Sequence, residues 1–147
     1  MESKKAKKQE NLLFFSWAVS VVATLGSLYF SEIQQFEPCE LCWYQRILMY
    51  PLTIILGIAA VKKQAGIAIY TAVLSGIGAC FSLYHYLIQK ADFFSSSAPA
   101  CGRVPCTGQY INWMGFITIP FLALVAFSII LIVSVVLLKS LKGEKQL

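Results

Sequence analysis

The sequence predicts an all-α integral membrane protein, a single domain over residues 1–147 folded as a four-transmembrane-helix bundle with both termini cytoplasmic. Three observations carry this. With 58% of residues hydrophobic and only 13% charged, the chain holds more apolar side chain than a soluble core of this length can hide, so lipid must act as its solvent. Long stretches lack Asp, Glu, Lys and Arg altogether. The basic residues also sort to one side of those stretches, as orientation in a membrane requires.

Glu10 and Glu32 bracket 21 uncharged residues, Asn11 to Ser31, enough at about 1.5 Å per residue to cross a hydrocarbon core of about 30 Å. The next uncharged stretch, Ile47 to Val61, has only 15 residues, so its helix must begin near Leu41 and carry Arg46 inside it. Lys63 and Lys90 bracket the 26 residues of the third. The last, Val104 to Leu138, has 35, which overshoots the core, so only its latter part spans. Spans are therefore expected over about 12–30, 42–61, 65–86 and 116–138, with outer loops over about 31–41 and 87–115. Within the second loop, 107–115 should lie along the membrane surface, with Tyr110 and Trp113 as interfacial aromatics.

Lys4, Lys5, Lys7, Lys8, Lys62, Lys63, Lys139, Lys142 and Lys145 all fall on one side of these spans, which the positive-inside rule makes cytoplasmic. Only Arg46, Lys90 and Arg103 are left for the other side. Lysines sorted by membrane side account for the net charge of +5, so nucleic acid is not expected as a partner. The first apolar segment is too long for a cleaved signal peptide and no small-x-small site follows it, so it should stay attached.

That topology places Cys39 and Cys42 at the end of the first outer loop, Cys101 and Cys106 in the second, and Cys80 within a membrane helix. Cys80 continues Ala68, Ala72 and Gly76 at a spacing of four and reads as a helix-packing residue. The outer four stand where disulfides persist, as static staples or as redox pairs. Spacing favours redox chemistry for the first pair. Cys39-Glu40-Leu41-Cys42 is a C-x-x-C at a helix start, where free N–H groups and the helix dipole stabilise a thiolate.

Arg46 lies four residues after Cys42, on the same helix face one turn deeper, where a cation lowers a thiol's pKa. Cys42 is thus expected to be the more acidic thiol. Arg46 lies 16 residues before Lys62 and His85 22 after Lys63, so both fall near the outer hydrocarbon boundary and could share one pocket. An arginine there often only snorkels to the headgroups, and a histidine beside Tyr84 and Tyr86 often only anchors the interface. Next to a redox C-x-x-C, the site reading is preferred for Arg46; His85 is kept as a site candidate.

Cys39-x-x-Cys42 opening the second helix, Tyr44-Gln45-Arg46 after it, four spans and a second cysteine pair in the second outer loop resemble the DsbB family of membrane disulfide-forming oxidoreductases. The short spacing Cys101-Gly-Arg-Val-Pro-Cys106 looks most like its BdbC-type relatives. The resemblance implies that Cys101 and Cys106 oxidise an extracytoplasmic, thioredoxin-like (DsbA-like) partner and pass electrons to Cys39 and Cys42. From there they go to a membrane quinone, ubiquinone or menaquinone, with Arg46 and His85 near it. It also implies a bacterial cell membrane, with the active loops on the outer face. The second loop is shorter than in the best-known family members, which restricts how far Cys106 travels toward Cys39.

Three rivals are weighed beside this. A vitamin K epoxide reductase-like enzyme would place its quinone-proximal C-x-x-C late in the chain. A metal site built from four cysteines would need four free thiols on an oxidising face and leaves Arg46 without a role. A scaffold braced by two structural disulfides would be redox-inert. No metal is expected.

Overall fold

The computed structural model describes residues 2–35, 37, 39–90 and 118–146. Helix α1 spans Glu2–Leu28 and runs into a π-helical turn at Tyr29–Ile33; α2 spans Glu40–Lys62; a 3-10 turn at Ala65–Ile67 leads into α3, Ala68–Lys90; and α4 spans Ile119–Lys145. Four helices are long and apolar enough to cross a membrane, so the chain is an all-helical membrane protein.

Local chemistry explains the helix ends. Cys39 is the extended residue before α2, and Lys63 closes that helix in the left-handed region (φ 55°) with its N–H on the Ala59 carbonyl. Extended Thr118 precedes α4, and Pro120 occupies its first turn, where a missing N–H costs nothing. α4 therefore starts at Ile119, whereas the sequence places the span's start at Phe116, and it continues past Leu138 to Lys145. Likewise α1 begins at Glu2, through the lysine run. Helices end where backbone chemistry stops them rather than where charge begins. The surface segment expected at 107–115, with Tyr110 and Trp113, lies outside the described residues.

Each helix packs chiefly on its neighbours in the chain, and α4 closes the ring against α1. Leu13, Ala59, Ala65, Ala68, Val133 and Leu137 form a core cluster at the end where α1 starts and α2 ends. There Lys63 pairs with Glu10 at 3.1 Å and Gln9 donates to Ser140 at 3.1 Å. A second cluster, Met49, Leu52, Leu56, Ala126, Phe127 and Ile130, fills the middle. Cys39, Leu41 and Ile88 form a third at the far end. Thr53 pins α2 to α1 through the Thr24 hydroxyl (2.9 Å) and the Ser20 carbonyl (3.3 Å).

Helices α3 and α4 pack tightly at Gly78, where a Cβ would overlap the Phe127 ring. Along the same interface Thr71 and Ser134 share a 2.8 Å hydrogen bond. The buried face of α3 runs Ala68, Thr71, Ser75, Gly78, Ser82, His85 and Ile88, in steps of three or four. Cys80 is exposed and off this face, which corrects its reading as a packing residue. Each step of four turns about 400°, about 40° beyond a full circle, so counting 68, 72, 76, 80 drifts about 120° away from the neighbour.

Candidate active site

The start of α2 presents both cysteines of the C-x-x-C. Cys39 is buried at the helix mouth and Cys42, one turn on, is half-buried; their sulfurs lie 3.2 Å apart as free thiols. A modest approach converts that separation into an S–S bond. The Cys39 thiol is pushed up to about 12, first by its hydrogen bond to Cys42 and then by burial, with the His85 contact pulling it back down. The Cys39 thiol therefore keeps its proton at neutral pH.

Arg46 is held by neutral groups only. Its Nη2 donates to the Ser27 carbonyl at 3.1 Å, its Nη1 to the Ser31 hydroxyl at 3.4 Å, and its guanidinium lies over the Trp43 ring at 5.5 Å. Ser31 belongs to the π turn that ends α1, where Gln34 N–H reaches back five residues to the Tyr29 carbonyl. Such turns widen a helix locally and often occur at functional sites. No carboxylate forms an ion pair with Arg46 among the described residues, although Glu37 lines the same cavity.

Between α1, α2 and α4 lies a cavity of about 520 Å³, walled mostly by apolar side chains such as Val22, Phe30, Met49, Leu122 and Ala126. Glu37, Cys42, Gln45 and Arg46 supply much of its polar character. The expected alignment of Cys42 and Arg46 on one face of α2 is what puts both on the same wall.

His85 is elsewhere. It is 1% exposed, on the α3 side of α2, with Nε2 3.6 Å from Cys39 Sγ and Nδ1 3.2 Å from the Gln45 amide nitrogen. It is not among the residues that line the cavity, so Arg46 and His85 have separate surroundings here. Counting along a helix does not fix direction: Arg46 turns to Ser27 and Ser31, and His85 to Cys39 and Gln45. Gln45, between them, touches both the cavity and the histidine.

Cys39, Cys42 and His85 offer three ligand atoms within 4.8 Å of one another. A tetrahedral zinc with Zn–S near 2.3 Å needs sulfurs about 3.8 Å apart. The 3.2 Å found here suits a dithiol on the way to a disulfide better. Cys101 and Cys106 lie outside the described residues.

Residues 9–137 match the family described as disulfide bond formation protein DsbB. The chain belongs to the DsbB family. Among DsbB-family relatives, it is 61% identical over 136 residues to a probable disulfide formation protein C 1 of Bacillus anthracis, covering 92% of this chain and 98% of that protein. It is 58% identical over 132 residues to the disulfide bond formation protein C of Bacillus subtilis, covering 90% and 95%. A probable disulfide formation protein of Oceanobacillus iheyensis is 50% identical over 143 residues, 97% of this chain and 98% of that one. No solved structure matches the chain.

Sequence reasoning about this DsbB-family chain missed three partners of the site: Gln45, Ser27 and Ser31. For Gln45 a signal existed, an uncharged amide within an apolar helix, where a buried polar group must find a partner. For the two serines no sequence signal existed, because the π turn that sets their direction is not written in any residue type.

Proposed function

We propose that this DsbB-family membrane disulfide oxidoreductase is quinone-dependent. In this reading it reoxidises an extracytoplasmic, thioredoxin-like (DsbA-like) thiol oxidase from the outer face of a bacterial cell membrane. Its lysine-rich end and both termini are cytoplasmic. One observation carries the reading: Cys42 and Arg46, which has no carboxylate partner among the described residues, stand on the wall of a mostly apolar cavity, with Cys39 directly behind.

The residues fit a quinone. About 520 Å³ suits a substituted ring with the start of an apolar tail, the walls are apolar as that ligand requires, and the Arg46 cation faces where negative charge would develop. When bound, a quinone supplies an acceptor for two electrons and two protons. The chain's own residues do the rest. Arg46 stabilises negative charge on Cys42 and across the cavity; Cys39 attacks Cys42 Sγ to close the disulfide; the apolar walls exclude water. Cys101 and Cys106 exchange disulfides with the partner and are reoxidised by Cys39 and Cys42.

The test is anaerobic. The purified, reduced protein is mixed with a short-chain quinone, and free thiols are counted with an alkylating mass tag. Loss of four thiols in step with quinone reduction, abolished by Cys42→Ser, is expected. Thiols that stay reduced would overturn the reading, and one equivalent of zinc per chain after anaerobic purification would replace it with a metal site.

A further inference from the structure

The cavity accounts for Cys42 and Arg46 and leaves a buried histidine on α3 unexplained. His85 is 1% exposed, faces no carboxylate among its described contacts, and has both ring nitrogens engaged. One engages a reacting sulfur, Cys39 Sγ at 3.6 Å; the other engages the Gln45 amide at 3.2 Å. A histidine used only for packing needs neither.

We infer that His85 is the proton acceptor for Cys39 in the disulfide-closing step, and that Gln45 is the positioning residue that sets which ring nitrogen carries the proton. The inference deepens the proposed reaction and rests on it only for the identity of the final oxidant. In the step, Cys39 Sγ bonds to Cys42 Sγ. The Cys39 S–H bond breaks and its proton passes to His85 Nε2. The Cys42 S–H bond breaks as well: its electron pair and proton pass to the acceptor, the quinone of the proposed reaction, and the acceptor's second proton comes from the protonated His85 or from water.

Chemistry explains why a second group is needed. While both thiols are reduced, Cys39 and Cys42 share one hydrogen bond across their 3.2 Å contact, in which either sulfur can be the donor. Once Cys42 gives up its electron density it is a poor acceptor, and the Cys39 proton must go elsewhere. His85 Nε2 is the neighbouring base at that sulfur. A primary amide suits the other nitrogen because it presents N–H on one side and C=O on the other. With N–H toward Nδ1 the neutral ring keeps its proton on Nε2 and donates to a Cys39 thiolate. Turned over, the carbonyl holds Nδ1–H and frees the Nε2 lone pair to accept from the thiol. The same atoms thus serve closing and opening of the disulfide.

The experiment measures single-turnover closure of the reduced full-length protein in detergent with two oxidants, a short-chain quinone and oxidised glutathione. Glutathione forms a mixed disulfide at Cys42, which Cys39 then resolves with release of glutathione thiolate. His85→Ala is expected to slow closure about 100-fold with both oxidants, the usual size of a lost general base. Added imidazole should restore part of the rate, and the quinone KM should stay unchanged. Gln45→Met, nearly the same size, should slow closure about tenfold, as loss of a histidine's orienting partner does, and keeps the inference testable where His85→Ala folds poorly. Unchanged closure in both variants would overturn it, as would a loss that imidazole fails to restore, or one seen only as a raised quinone KM. Should quinone oxidise no variant and not the parent either, the quinone reading fails while the glutathione arm still decides the role of His85.

Discussion

Replacing Arg46 by methionine keeps the apolar stem and removes the charge, the fork to the Ser27 carbonyl and Ser31 hydroxyl, and the contact over Trp43. Positions four apart on a helix sit about 6 Å from one another, and at an effective dielectric near 20 a unit cation and a unit anion at that distance attract by about 2.8 kcal/mol. Arg46 is half-buried, and solvent screening reduces this figure. The expected loss in the rate of quinone reduction is therefore about 10- to 100-fold. Arg46→Lys separates the two contributions, since it keeps the charge and loses the planar fork, and should fall between parent and methionine variant. Stopped-flow quinone reduction by the pre-reduced protein, with thiols counted in parallel, reads the effect. Normal kinetics in Arg46→Met would refute the reasoning and make the arginine a side chain that merely reaches the headgroups.

Cys39→Ser or Cys42→Ser should abolish recharging by quinone, whereas Cys101→Ser or Cys106→Ser should block oxidation of the thioredoxin-like partner and leave the first pair quinone-reactive; identical phenotypes for all four would refute the division of labour. Because the Cys39 thiol is raised from 9.0 to about 12, its alkylation in the reduced protein should keep accelerating with pH through that window, and a plateau near pH 9 would refute it. By linkage the folded, reduced state holds this proton where the unfolded thiol has lost it, so the contribution to stability is fully present below pH 9.0 and is lost as pH rises from 9.0 toward about 12. Gly78→Ala should cost about 1–3 kcal/mol by driving a methyl into the Phe127 ring, read as a lower Tm in detergent. Phe127→Leu in the same chain should recover part of it, and an unchanged Tm for Gly78→Ala would show that the helices part freely.

Much of this was legible before any coordinates. Uncharged runs are long-range signals of a single solvent, and the four helices follow from them. Cys42 and Arg46 were legible as neighbours because both lie on one helix, where spacing sets direction. What failed to show depends on relations between helices. His85 is 40 residues from Gln45, and no count along α3 reveals that it turns to Cys39 rather than to the cavity. Cys80 was misread by treating a spacing of four as a straight line on a helix. The cavity itself is the space left where α1, α2 and α4 diverge, and no residue type marks an empty volume.

The ring order of the helices bears on how the protein is assembled. Since neighbours in the ring are neighbours in the chain, each helix entering the bilayer during synthesis finds the surface it packs against already in place. The hairpin of α1 and α2 brings together the C-x-x-C, Arg46 and its serine partners; α3 adds His85; only α4 supplies the wall from Ile119 to Ile129. A nascent chain halted before Ile119 would hold the C-x-x-C, its arginine and its histidine, but would lack the cavity wall that α4 contributes beside them.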